Sequence, residues 1–226
     1  MIELHDPGTL DLPLLDEDTP VPMTTLPGHR LRILDNGEAL VVITGVRRLP
    51  AYESDRWPGT RASMVAREGV VSRLKRAERQ LARGFGLVVL DAWRTQALQH
   101  ALYSHYYSTD NLPSGYVSNP GSDLLVPPHT TGGALDITLR YEDWPLKLGT
   151  EFDGFGLFAA STAFERAGMD PKVRNLRRML ARVLWEVGFY PHPMEWWHYS
   201  YGDQVWAHNA GKPAAIYGAV NGANTD

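Results

Sequence analysis

A chain without cysteine can hold a metal only through nitrogen and oxygen, and this one has no cysteine but eight histidines. Two of those histidines stand in company that carries chemistry. His129 is followed by Thr130-Thr131-Gly132-Gly133-Ala134-Leu135-Asp136, and His198 closes the run Glu195-Trp196-Trp197-His198. Two imidazoles and one carboxylate make a three-ligand set for Zn²⁺, with a fourth position open to water. The step from His129 to Asp136 is odd, so a straight strand would send the two side chains to opposite faces. The Gly132-Gly133 pair permits the turn that would bring them together. Spacing alone leaves open a plainer arrangement, a loop histidine and a capping aspartate that never meet.

Glu195 lies three residues before His198, so a helical turn, or a loop entering a strand, can aim both at one place. A carboxylate beside a metal-activated water is the usual arrangement for a general base. The alternative is an aromatic core strand with one exposed Glu and one packed His. Trp196 and Trp197 suit either, as core rings or as walls of a site. Arg94, in Leu90-Asp91-Ala92-Trp93-Arg94-Thr95, sits between a strand and a helix. A fixed guanidinium there can meet an oxyanion, or simply pair with Asp91. His5, His29, His100, His105, His192 and His208 read as surface or hydrogen-bonded histidines.

The elements that must position these residues follow from hydrophobic period and punctuation. The first 60 residues are proline-rich and read as an extended arm with a short strand at residues 39–44. Val70, Leu74, Ala77 and Leu81 share one face of a helix expected from Ser63 to Arg83, with Gly84 as its left-handed cap. Leu87-Val88-Val89-Leu90 is a short apolar run between Gly86 and Asp91, the mark of a buried strand. Thr95 can cap a second helix running to about Tyr107. Residues 108–128, rich in Ser, Asn, Pro and Gly, read as a long loop able to act as a lid. Residues 134–139 alternate and are β-branched, as in a strand. Asp170-Pro171 opens a helix whose apolar period runs to Val187 and stops at Gly188. The mixture predicts an α+β fold, and no linker divides it. We therefore expect a single domain over residues 1–226: the arm over 1–60, a catalytic core over 61–217 and a tail over 218–226.

Composition excludes several function classes. A net charge of −4 lacks the basic footprint of nucleic-acid binding. Hydrophobic residues at 43% and charged residues at 21% exclude a disordered chain. Without cysteine there are no disulfides, thiolate metal sites or cysteine nucleophiles. No run approaches the roughly 20 apolar residues of a membrane span, and the start has no basic, apolar leader. The expectation is a soluble cytoplasmic protein with neither a nucleic-acid nor a membrane partner; the oligomeric state is open.

Taken together, the short patterns resemble one family. Asp91-Ala92-Trp93-Arg94-Thr95, then Pro127-Pro128-His129-Thr130-Thr131-Gly132-Gly133-Ala134-Leu135-Asp136, then Glu195-Trp196-Trp197-His198 stand in the chain order of the D-alanyl-D-alanine dipeptidases, the VanX-like zinc peptidases of vancomycin resistance. Gly149-Thr150-Glu151-Phe152-Asp153 is similar to that family's G-T-x-F-D. The resemblance runs from about Val41 to Tyr217. It implies a hedgehog/D,D-peptidase fold, a small antiparallel sheet flanked by helices with zinc at its open face. It also implies one zinc per chain on His129, Asp136 and His198, with Glu195 as catalytic base and then acid. Arg94 would stabilise the transition state, and Asp153 would receive the substrate ammonium, with Trp196 and Trp197 closing the pocket. The implied substrate is D-Ala-D-Ala or a similar dipeptide with a C-terminal D-residue. Three positions depart from the family pattern: Ala92 and Thr95 replace a glycine and a proline around the arginine, and Pro127 replaces a serine that helps position substrate. These bear on dipeptide preference. The rivals are a D,D-carboxypeptidase or cell-wall endopeptidase with the same triad, and a non-catalytic zinc module.

Overall fold

The computed structural model describes residues 2–53, 57–60, 62–109 and 112–221. Its strands, in chain order, are β1 (Arg32–Ile33), β2 (Leu40–Val42), β3 (Arg47–Arg48), β4 (Val65–Arg67), β5 (Phe85–Asp91), β6 (Ala134–Tyr141), β7 (Trp144–Pro145), β8 (Tyr190–Pro191), β9 (His198–Ser200) and β10 (Ala214–Ala215). The helices are α1 (Glu68–Glu78), α2 (Gln96–Thr109), α3 (Pro171–Trp185) and α4 (Gln204–Asn209). The main sheet has the order β3-β5-β6-β9-β8, with β7 pairing the far end of β6. Its central ladders are antiparallel, and the outer pair β3–β5 is parallel.

The all-apolar run of the central strand decides where the core lies. Every residue of β5 is buried, as a strand covered on both faces must be. Phe85, Leu87 and Val89 of β5, with Leu135, Ile137 and Leu139 of β6, share one core with Val70 and Leu74 of α1 and Leu176, Leu180 and Val183 of α3. Each such fully buried aliphatic side chain stabilises the fold by about 1.5–3 kcal/mol. Alternation then turns Asp136, between Leu135 and Ile137, to the face away from these helices. Helix α3 begins as its sequence dictates: the Asp170 carboxylate accepts from the backbone of Lys172 at 2.7 Å and of Val173 at 3.4 Å, and Pro171 holds the first helical position.

The helix expected from Ser63 to Arg83 is shorter at both ends. Residues 65–67 form β4, paired antiparallel with β2 in the register Val42↔Val65 and Leu40↔Arg67. Tertiary pairing with a strand more than twenty residues upstream overrides the local helical period there. The helix ends at Glu78, and Gly84, with φ +88°, serves instead at the turn into β5. The arm is tied down along its length. Leu4 packs on Val88 and Leu90, Glu17 pairs with Arg182 at 2.9 Å, and β1 pairs with β10 near the other end of the chain. Among the described residues no helix is long and apolar enough to cross a membrane.

Candidate active site

Sheet register assembles the site. Asp136 on β6 is the partner of Asp91 on β5 and of His198 on β9, on the face opposite the helical core. His129 arrives from a short 3₁₀ turn, Pro128–Thr131, which ends at Gly132 with φ +73°. At that positive φ an L side chain is strained, which is what favours glycine at Gly132. Because His129 precedes the strand, the odd spacing to Asp136 is no obstacle.

The three side chains are buried and present their ligand atoms to one another within 4.8 Å. His129 Nδ1 lies 2.7 Å from the Ala92 carbonyl, so Nδ1 carries a proton and Nε2 is the nitrogen turned to the site. That Nε2 is 3.1 Å from His198 Nδ1 and 3.3 Å from Asp136 Oδ1, and His198 Nδ1 is 3.2 Å from the same oxygen. Asp136 Oδ1 is buried without a hydrogen-bond partner. A buried carboxylate oxygen facing two imidazole nitrogens is costly unless a cation lies among them, and an N,N,O donor set suits a divalent transition metal. The residues fit a metal. Burial works to raise the Asp136 pKa, yet the imidazoles beside it hold it well below the usual carboxylate range; burial pushes His198 down.

Arg94 pairs with Asp91 and also reaches the site. Its Nε donates to Asp91 Oδ2 at 2.5 Å, Nη2 to Asp136 Oδ2 at 3.2 Å and Nη1 to Gln99 Oε1 at 3.3 Å. Burial alone would lower its pKa, but Asp91, Tyr52 and Asp136 more than offset that, so it is a fixed cation. Glu195 is held differently. It lies one turn before His198, whose N–H donates to the Glu195 carbonyl at 3.2 Å, and Oε2 is 3.7 Å from both His198 Nδ1 and His192 Nδ1. Among the described residues nothing donates a hydrogen bond to this carboxylate. Burial, and then the charges of Asp136 and Asp153, push its pKa well above the ordinary carboxylate value. A weakly held carboxyl with raised proton affinity is suited to accept and return a proton.

His129, Asp136, His198, Arg94, Glu195 and His192 line one cavity of about 510 Å³, with Asp153 and Trp197 on its wall. Asp153 has φ +58°, and its Oδ2 accepts from the hydroxyls of Tyr52 and Tyr106, each at 2.6 Å; burial pushes its pKa up to about 6. Trp196 is not among the lining residues. It is fully buried, its indole N–H donates to Thr150 Oγ1 at 2.8 Å and its backbone N–H to the Ala159 carbonyl at 2.8 Å. It therefore pins the loop that carries Asp153. Arg177 pins the same loop, donating to the carbonyls of Leu148, Phe158 and Ala160 at 2.7–2.8 Å. The loop over residues 112–127 supplies another wall through Tyr116, Ser118 and Leu125. Sequence reasoning missed His192, which is buried against the cavity with its ring 5.2 Å from that of His198. Its position three residues ahead of Glu195 was the only signal. Tyr52 and Tyr106 gave none, because only tertiary folding brings them to Asp153.

The family model described as D-Ala-D-Ala dipeptidase matches residues 59–214. The chain belongs to the D-Ala-D-Ala dipeptidase family. A D-alanyl-D-alanine dipeptidase of Synechocystis sp. is 30% identical over 90% of this chain and 98% of its own length. One of Enterococcus faecium is 27% identical over 68% of this chain and 77% of its own. Among solved structures, a vancomycin-resistance D,D-dipeptidase in complex with a D-Ala-D-Ala phosphinate analogue superposes with a TM-score of 0.40 at 19% identity; the match covers 78% of this chain and 63% of that one. As a member of this dipeptidase family the chain is a peptidase, and the cavity described above is its candidate active site.

Proposed function

We propose that this dipeptidase hydrolyses D-alanyl-D-alanine, or a similar dipeptide with a C-terminal D-residue, to free amino acids. In this reading His129, Asp136 and His198 hold one zinc ion. The observation that carries it is the unpartnered Asp136 oxygen facing two imidazole nitrogens, with the unengaged Glu195 carboxylate 3.7 Å from His198. A bound zinc ion supplies Lewis acidity, which makes water a better nucleophile near neutral pH and draws charge from a carbonyl.

The chain's own residues do the rest. Glu195 takes one proton from the attacking water as its oxygen adds to the scissile carbonyl carbon. Arg94, its guanidinium fixed by Asp91 and Asp136, meets the developing oxyanion. As the C–N bond breaks, Glu195 returns the proton to the leaving amine. Asp153, with one oxygen occupied by two tyrosine hydroxyls, offers the other to the substrate ammonium. An ammonium buried without a partner is costly, so an N-acylated or longer peptide forfeits this pairing and meets the cavity wall. D-Ala-D-Ala is a cell-wall building block, which would set the reaction in cell-wall metabolism in the cytoplasm.

The test is zinc-loaded protein against L,L, L,D and D,D dipeptides, N-acetyl-D-Ala-D-Ala and a pentapeptide ending in D-Ala-D-Ala. The expected result is cleavage confined to free dipeptides ending in a D-residue. Comparable cleavage of the acetylated and longer substrates would replace this reading by a carboxypeptidase or endopeptidase.

A further inference from the structure

The cavity's lining is of two unlike kinds. One is His129, Asp136, His198, Glu195 and Arg94. The other is aromatic. The Phe155 ring stands 5.1 Å from Tyr106, 5.0 Å from Tyr116 and 5.9 Å from Trp197, centre to centre, and all four line the cavity. Tyr106 and Tyr116 are only half-buried, so ring surface faces open volume. A cavity of about 510 Å³ falls among those that enclose drug-sized ligands, which D-Ala-D-Ala is not.

Asp153 ties the two together. Its carboxylate is held by the hydroxyl of Tyr106, a ring of that same wall. In a free dipeptide the carbon that bears the ammonium also bears the first side chain. An ammonium on Asp153 therefore places the first side chain against Tyr106, Phe155 and Tyr116. A methyl group would leave most of that aromatic surface uncovered. A ring would cover it, with the offset or edge-on contacts that aromatic pairs favour.

We infer that this chain takes dipeptides whose N-terminal residue carries an aromatic or long apolar side chain, in preference to D-Ala-D-Ala. The inference rests on the reading that Asp153 receives the substrate ammonium in a dipeptidase site.

The experiment compares kcat/KM for D-Ala-D-Ala and D-Phe-D-Ala with the full-length, zinc-loaded protein. D-Phe-D-Ala is expected to be cleaved roughly tenfold faster, the scale on which apolar pockets discriminate by added apolar surface. Phe155→Ala should shrink the ratio between the two substrates. Should that variant fail to fold, Tyr116→Leu, at a half-buried position, serves the same comparison. A D-Phe-D-Ala rate equal to or below that of D-Ala-D-Ala overturns the inference while leaving the dipeptidase reading intact. So does a ratio that both variants leave unchanged. Cleavage of neither dipeptide removes both readings together.

Discussion

Replacing Arg94 by alanine separates what the guanidinium does for catalysis from what it does for the fold. In catalysis it is one preorganised donor, and losing one such donor typically costs about 2.7–4 kcal/mol, or 10²–10³ in kcat. In the fold it is the cation between two buried carboxylates. Asp91 is 8% exposed and Asp136 1% exposed, and both bond to Arg94. Asp136 keeps the metal as a counter-charge in this reading, but Asp91 loses its buried cation, and removing one partner from a buried pair costs about 3–5 kcal/mol. At about 2–4 °C per kcal/mol for a chain of this size, Tm should fall by roughly 6–20 °C. The two effects are read by thermal melting and by steady-state kinetics below the new transition. Added guanidine, which fits the space vacated by the side chain, should restore part of kcat. The reasoning fails if KM alone rises, for then Arg94 binds the substrate carboxylate in the ground state. It fails separately if Tm is unchanged, since Asp91 would then need no buried cation.

Three further outcomes follow from the same geometry. His198→Ala should reduce bound zinc well below one per chain, and metal analysis showing full occupancy would contradict the ligand set. Glu195→Gln should lower kcat by roughly 10²–10⁴ with zinc retained and Tm unchanged or raised, because burial already disfavours the charged carboxyl; near-normal turnover would move the base elsewhere. Asp153, pushed up to about 6, carries its negative charge only above that pH. The KM for a free dipeptide should therefore rise as pH falls through about 6. Asp153→Asn should show a high KM that is flat over the same range, and an unchanged acid limb in that variant would assign the effect to another group.

The parts of this molecule that could be read from sequence are those in which a local rule and the tertiary fold agree. The apolar run of β5, the Asp170-Pro171 start of α3 and the alternation of β6 each needed only neighbouring residues, and each stands where expected. The candidate donor types are legible because a chain without cysteine offers few alternatives, and the structure brings His129, Asp136 and His198 together. Residues 65–67 were not legible, because their helical period competes with pairing to β2 and the pairing wins. His192, between two prolines, reads in sequence as no more than a surface or hydrogen-bonded histidine. The structure folds that segment inward, where the His192 backbone N–H donates to the carbonyl of His198 at 2.8 Å.

Stability and activity here share one device, the register of β6 between β5 and β9. The candidate site residues are spread from Arg94 to His198, and no local element holds more than two of them. The pairings Asp136↔Asp91 and Asp136↔His198 bring Asp136, His198 and the anchor of Arg94 to one face. The same register sends Leu135 and Ile137 into the core with α1 and α3. Side chains alternate with a period of two, so a slip by one residue would exchange these faces. It would bury Asp136 among aliphatic side chains and expose the two leucine- and isoleucine-bearing positions to the cavity. The core therefore enforces the site. Every apolar contact that stabilises β6 against the helices also opposes the register in which Asp136 could not meet His129 and His198.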